Sequence, residues 1–297
     1  MKVAIVTPYR NEPEPWVRAL IDSVAAQRHP VTHVLVGDGL HNPAFEGDGR
    51  MTLSLPQATG DSGGTPRAAG GLWARENGFD IVAFADADDR LDREFAVTLV
   101  RARQSLGAEV ISVPHAYYDR NLRPARNLSG QHMGIWAHGA ARQIGGTFYN
   151  FLPAPGLALA GRALDHVGDW TRVPKVLCRV SDLFLSQALI SRPYVVAWLG
   201  QALYHFRLTD RDQYERYNLP IPASLDRVAE TTVNDAAIEF LGGLDEAGRR
   251  KLEAEFGIRI DLVPLRDKVR QAVAEAHDRR GALVRRADGA FGIAAPL

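Results

Sequence analysis

The sequence has one cysteine, Cys178, among 297 residues, so an intrachain disulfide and a thiolate zinc cage are both excluded. The lack of disulfides fits a reducing compartment. Neither charge is in excess, because 35 Lys and Arg face 35 Asp and Glu. No bulk field therefore directs the chain to nucleic acid or anionic lipid. Nor is there a run of about 20 continuous apolar residues, the length a membrane helix needs. The most weakly polar stretch, Ile144 to Ala163, is broken by Asn150, Pro153, Pro155 and several glycines. The opening run Val3-Ala4-Ile5-Val6 is too short for a signal peptide and reads as a buried strand. These absences predict a cytoplasmic protein with no nucleic-acid partner and no transmembrane segment. No internal repeat is present. No Gly-x-Gly-x-x-Gly follows the first strand, which argues against a dinucleotide-dependent dehydrogenase.

What the first half does contain is an alternation of short apolar runs and helical patterns. Strands are predicted at Val3 to Thr7 (ended by Pro8), His33 to Val36, Met51 to Leu55, Ile81 to Ala85 and Val110 to Val113. Between them, helices are predicted from Pro15 through Val24, from Pro66 to Asn77 with Gly78 as terminator, and from Asp92 to Leu106. Strands apolar on both faces and separated by helices indicate an α/β fold, with a mostly parallel sheet covered on both sides. Ligands bind beyond the carboxyl ends of such strands. The polar residues there, Thr7 to Glu12, Asp38, Asp86 to Asp89 and His115 to Tyr118, should converge on one rim. Asn121 to Gly168 reads as a loop-dominated region, and from about Leu225 the composition turns to Glu, Arg and Ala at helical spacing. Leu265 to Arg280 is the clearest helix there, and the residues from Gly289 read as a frayed end.

Asp86-Ala87-Asp88-Asp89 directly follows the apolar run Ile81 to Ala85. Three carboxylates in four residues repel one another unless a cation or buried donors are present. Along an extended chain Asp86 and Asp88 fall on one side and Asp89 on the other. Hard oxygen ligands at that spacing suit Mg2+ or Mn2+, which take one or two carboxylates together with substrate phosphates. The plainer reading is that these aspartates cap the next helix, and Asp89 and Asp92 fit it best. Haloacid-dehalogenase-like phosphatases also carry Asp-x-Asp after a strand, but usually after the first strand and with a hydroxyl residue soon afterwards.

Taken together, these segments resemble the family-2 inverting glycosyltransferases of GT-A fold. Thr7-Pro8-Tyr9-Arg10-Asn11-Glu12 is similar to the family's nucleotide loop, and Val34 to Gly39 to its strand ending in Asp-Asp-Gly. Gly63 to Gly70 resembles a helix start that usually reads Gly-x-x-x-Ala-Arg-Asn-x-Gly, and Ile81 to Asp89 the Asp-x-Asp-Asp strand. The likeness is clear over residues 1 to about 115 and fainter to about 210. It implies a GT-A domain over residues 1–215, with 1–115 the nucleotide-sugar half and 116–215 the acceptor half, and a helical extension over 216–297. By the same resemblance Thr7, Pro8, Glu12 and Asp38 line the base pocket, and Arg67 faces the diphosphate. Asp86 lies near the ribose or a metal-bound water, and Asp88 ligates Mn2+ or Mg2+.

The resemblance also implies a base for the acceptor. An acidic residue at a helix start serves in the family, and Asp182 of Ser181-Asp182-Leu183 takes that place, with Asp169 as the substitute. Leu203-Tyr204-His205-Phe206-Arg207 resembles the closing strand, so His205 or Arg207 would reach the metal or diphosphate. His115, Tyr117, Tyr118, His132, Trp136 and His138 enrich the acceptor region. The implied activity is metal-dependent transfer from a nucleotide-diphosphate sugar, UDP-linked, to a carbohydrate or other hydroxyl. Gly37 stands where the family often has its first Asp, Ala68 replaces an Asn, and Ser181 replaces a Glu. Those departures keep open a catalytically impaired sugar-nucleotide-binding module. A nucleotidyltransferase would need a glycine-rich basic first loop, and Thr7 to Glu12 has only Arg10 and no glycine. The Gln-x-x-Arg-Trp motif of processive synthases is absent. The basic residues from Arg266 to Arg286 read as a solvated helix face, with a membrane surface or homo-oligomer contact as the alternative.

Overall fold

A computed structural model describes residues 1–124, 152–209, 243–256, 279 and 281–297. The first apolar run forms β1 (Val3–Tyr9), all seven residues of which are buried. Helix α1 (Glu14–Ala25) follows, with a proline in its first turn. Then come β2 (Val31–Gly37), β3 (Arg50–Ser54), α2 (Gly64–Glu76), β4 (Ile81–Phe84), β5 (Arg90–Leu91) and α3 (Phe95–Leu106). The second half supplies β6 (Val110–Ser112), β7 (His115–Tyr118), β8 (Leu157–Ala160), α4 (Ser181–Ile190), β9 (Val196–Leu199) and β10 (Tyr204–Arg207). Helix α5 (Glu246–Phe256), β11 (Ala282–Arg285) and β12 (Phe291–Ala294) complete the described elements.

Nine strands form one sheet in the order β12-β11-β9-β6-β8-β4-β1-β2-β3, and β5-β10-β7 form a smaller one. β4, β1, β2 and β3 run parallel, as do β6 and β9, whereas β8 is antiparallel to β4 and β6. Alternate residues of one strand feed opposite cores. Val3 and Ile5 join Leu20, Phe95 and Leu99 on one side, and Ala4 and Val6 join Ala68, Trp170 and Leu189 on the other. Helix α2 lies unusually close to the sheet, since a Cβ on Gly70 would stand 2.5 Å from Val6 and 2.9 Å from Val36. This glycine is required by that approach. The α/β class with a large sheet flanked by helices is as the sequence predicts, and the sheet is mixed, with four parallel and four antiparallel pairings.

Three details differ from the sequence reading. Pro8 does not end β1; it pairs in register with Val36. Its missing N–H costs no ladder bond, because pairing on the β4 side stops at Val6 and Phe84. Inside the segment read as loop, Leu157–Ala160 is a fully buried strand between β4 and β6. The end of the chain is not frayed from Gly289 onward, because Phe291–Ala294 pairs with Ala282–Arg285, which pairs with β9. The predicted helix over Leu265 to Arg280 falls almost wholly outside the described residues, as do His132, Trp136 and His138. No helix among the described residues is long and apolar enough to cross a membrane.

Candidate active site

The acidic run leaves β4 as a turn rather than as an extended chain, closed by a bond from Asp89 N to Asp86 O at 3.2 Å. Strict alternation therefore fails, and Asp89 does not point away. Carboxylate oxygens of Asp86, Asp88 and Asp89 lie within 4.8 Å of one another. Asp89 is fully buried and accepts hydrogen bonds from Tyr204 Oη at 2.6 Å and Arg207 N at 2.7 Å. It ties the turn to β10 rather than capping α3, whose N-cap, Glu94, makes no side-chain cap bond; Asp92 accepts from Glu94 N at 2.8 Å in the turn before that helix. Asp86 pairs with the Arg67 guanidinium. Asp88 is partly exposed, and its carboxyl is pushed up to about 7 by burial first, then by Asp86 and Glu12, with Arg207 opposing. A carboxylate cluster that resists its own charge is suited to a hard cation, and two partly exposed members can offer oxygens to one.

Arg67 is the organising cation. Its Nη1 donates to Ser62 O at 2.8 Å, Nη2 engages Asp86, and the guanidinium lies 5.5 Å from the Trp170 ring centroid. Its Nε is buried without a partner among the described residues. Pro8 packs beside it, 3.2 Å from where a Cβ on Gly63 would stand. Asp38, across β1 on the end of β2, is buried, and Thr59 N and Oγ1 donate to its Oδ1 at 2.8 and 2.9 Å. Its other oxygen faces Arg10 at 4.0 Å. Glu12 folds back onto Arg10 N at 2.6 Å and adds to the negative field at Asp88. Thr7 is a correction. It is fully buried and shares a 3.0 Å hydrogen bond with the buried His33, so it has no surface to offer a base. His33 is held neutral, pushed down to about 3 by burial and by Arg50.

For the residues expected to serve an acceptor the placement is divided. Asp182 lies in the first turn of α4 and contributes with Asp86 to the field at Arg67. Asp169 is instead committed to His166 at 2.7 Å and Arg172 at 3.4 Å, and these partners hold its carboxyl low against the effect of burial. His205 is not among the groups whose ligand atoms converge on the cluster. Its ring lies 4.8 Å from that of Tyr118, and the charges acting on it are those of Asp92 and Arg90. Two residues along, on the same face of β10, Arg207 reaches the turn, its Nε donating to Asp88 O. Residue parity along β10 separates them from Tyr204, which faces the core. Tyr204 itself was missed as a site residue; its position immediately before His205 is the only signal the sequence carries. His115 is core, stacked on Phe206 at 5.4 Å and bonded to Pro155 O. Cys178 is buried, with Sγ 3.5 Å from Ser62 Oγ.

A pH dependence follows from Asp88. An unfolded Asp gives up its proton near 3.9, whereas the folded one keeps it to about 7. Between these values the folded state binds the extra proton, so Asp88 makes stability fall as pH rises. Burial pushes His33 and His205 down, which acts in the opposite sense over part of that range. The informative quantity is therefore the difference between Asp88→Asn and wild type. Melts in EDTA should show the variant gaining from nothing near pH 4 to about 2 kcal/mol above pH 7, discounted for partial exposure. A constant difference across that range would contradict the placement.

No family model and no curated protein sequence matches the chain. Solved structures do. It is similar to residues 1–349 of TarS from S. aureus in complex with UDP, at 16% identity over 94% of this chain and 88% of that one, with a TM-score of 0.50. The same TarS segment in a second crystal structure gives 17% identity over 93% and 80%, with a TM-score of 0.51. At such identity the likeness establishes the fold, which is of the GT-A type.

Proposed function

We propose that this chain is a glycosyltransferase that moves a sugar from a UDP-linked donor to an acceptor hydroxyl with inversion, in the presence of Mn2+ or Mg2+. The observation that carries the reading is the Asp86–Asp88 pair beside the Arg67 fork at the carboxyl end of β4, with Asp38 across β1. The UDP complex of the similarly folded TarS segment supports the choice of nucleotide. Asp38 Oδ2 would accept the N–H of a uracil edge, while Thr59 keeps the other oxygen in place. Asp88 and Asp86 would hold the cation, which when bound offsets charge developing on the diphosphate. Arg67 is clamped by Asp86, Ser62 and Trp170, so its fork is fixed before the donor arrives.

Asp182 would take the proton of the acceptor hydroxyl. The acceptor oxygen bonds to the anomeric carbon as the carbon–oxygen bond to the diphosphate breaks, and the diphosphate leaves with the electron pair. A single in-line displacement of this kind inverts the carbon. Calorimetric titration of UDP with and without Mn2+, then turnover of UDP-sugars, tests the reading. Expected are Mn2+-dependent UDP binding and a product of inverted anomeric configuration by NMR. In Asp182→Asn, kcat should fall about a hundredfold while UDP affinity stays within about twofold. Binding without turnover across donor and acceptor panels would point to a non-catalytic sugar-nucleotide-binding module.

A further inference from the structure

We infer that Trp16 is a positioning residue for the carboxylate turn, acting through Arg207. Trp16 stands in the first turn of α1 and is partly exposed, outside both cores that cover the main sheet. The Arg207 guanidinium lies over its ring, 4.7 Å from the centroid, and that of Arg120 lies 5.5 Å away. Arg207 is almost fully buried at 3% exposure, and its guanidinium bonds to the turn and to Arg120. Its main-chain N donates to Asp89 Oδ1, its Nε to Asp88 O and its Nη1 to Arg120 O at 2.8 Å. The Nη2 has no hydrogen-bond partner among the described residues. The two hydrogen bonds of the guanidinium, from Nε and Nη1, set its plane only at the edges, so the indole face is what supports it from one side. Trp16 also follows the Arg10–Glu12 loop within the same short stretch, and Glu12 acts on Asp88. One aromatic ring thus fixes α1 and its preceding loop against the strand end that presents Asp88.

The consequence for cation affinity rests on the proposed metal-dependent reading; the positioning itself does not. The test compares Trp16→Leu, which keeps apolar bulk without a π face, with Trp16→Phe, which keeps a face. In 15N-resolved NMR the wild-type Arg207 Nε–H should be displaced upfield by the indole ring current and protected from exchange. In Trp16→Leu that signal should lose its displacement, and the amides of Asp88 and Asp89 should shift; Trp16→Phe should preserve most of the pattern. Mn2+ affinity should fall about tenfold in Trp16→Leu and less than about threefold in Trp16→Phe. An unchanged Arg207 signal and unchanged Asp88 and Asp89 amides in Trp16→Leu overturn the inference. Should that variant not fold, an Arg207 Nε–H without ring-current displacement in the wild type overturns it alone. If the signals move as expected but the wild type binds no Mn2+, the metal reading fails and the positioning role stands.

Discussion

Asp88→Asn is expected to lower turnover about a thousandfold while leaving the protein folded, and above pH 7 in EDTA more stable than wild type. The two effects share one origin. Asp88 sits where burial, Asp86 and Glu12 all oppose its charge. An amide of the same shape removes that repulsion and also removes the oxygen charge a cation needs. Stability and activity should therefore move in opposite directions, the pattern expected when strain is kept for function. Steady-state kinetics at saturating Mn2+, read beside melts in EDTA, measure both. A variant that keeps wild-type kcat would remove Asp88 from the machinery. One that is inactive and also less stable would make it a structural residue like Asp89, whose carboxylate already serves Tyr204 and Arg207.

Gly37→Asp, which would restore the residue common in the resembling family, is expected to damage the protein rather than improve nucleotide binding. A Cβ at position 37 would stand 2.0 Å from Leu40 O and 3.1 Å from Tyr9 Oη. The first contact is with backbone, which cannot rotate away. Two residues on, Gly39 has φ +76°, and a Cβ there would stand 2.2 Å from Ala58 N. The chain around Asp38 is thus folded tightly against the 57–59 segment, and the Asp38–Thr59 bonds depend on that approach. Displacing it should cost about 3 kcal/mol of stability and weaken UDP binding more than about tenfold. Denaturant melts and calorimetry read the two losses. A stable Gly37→Asp with tighter UDP binding would show that the loop has room and that the contact is merely missing.

That case marks what the sequence can and cannot say. Gly37 reads as a lost contact when set beside a family pattern, whereas the packing makes it a requirement of this chain's own loop. Strands β1 to β4 and β6, with the first three helices, were legible because apolar runs such as Val3 to Val6 alternate with helical spacing over short distances. β8 was not. Leu157–Ala160 is a four-residue run between Pro155, Gly156 and Gly161, too short for a period to show and surrounded by turn residues. The β11–β12 hairpin carried a usable signal in Asp288-Gly289, where Gly289 takes φ +86° and its N–H donates to Arg286 O. It was overshadowed by the helical composition before it. In the site, Asp86, Asp88 and Asp38 were legible by strand-end position, and Arg67, in α2, through the resemblance of Gly63 to Gly70 to a family helix start. Thr7 and His205 were not, because which way a side chain on a strand points depends on register. Arg207 and Trp16, far apart in sequence, meet only through tertiary packing.

The pairing of β11 with β9 also bears on the order of events during synthesis. β9 is fully buried and runs along the sheet beside β6, yet its other edge is completed only by residues 282–285. As the chain leaves the ribosome, that edge offers unpaired backbone groups over an apolar strand until the hairpin arrives. The interval spans all of the intervening chain, including α5. The part of the chain that holds the carboxylate turn thus emerges with an open sheet edge, and the hairpin closes it late against pairing with a neighbouring nascent chain.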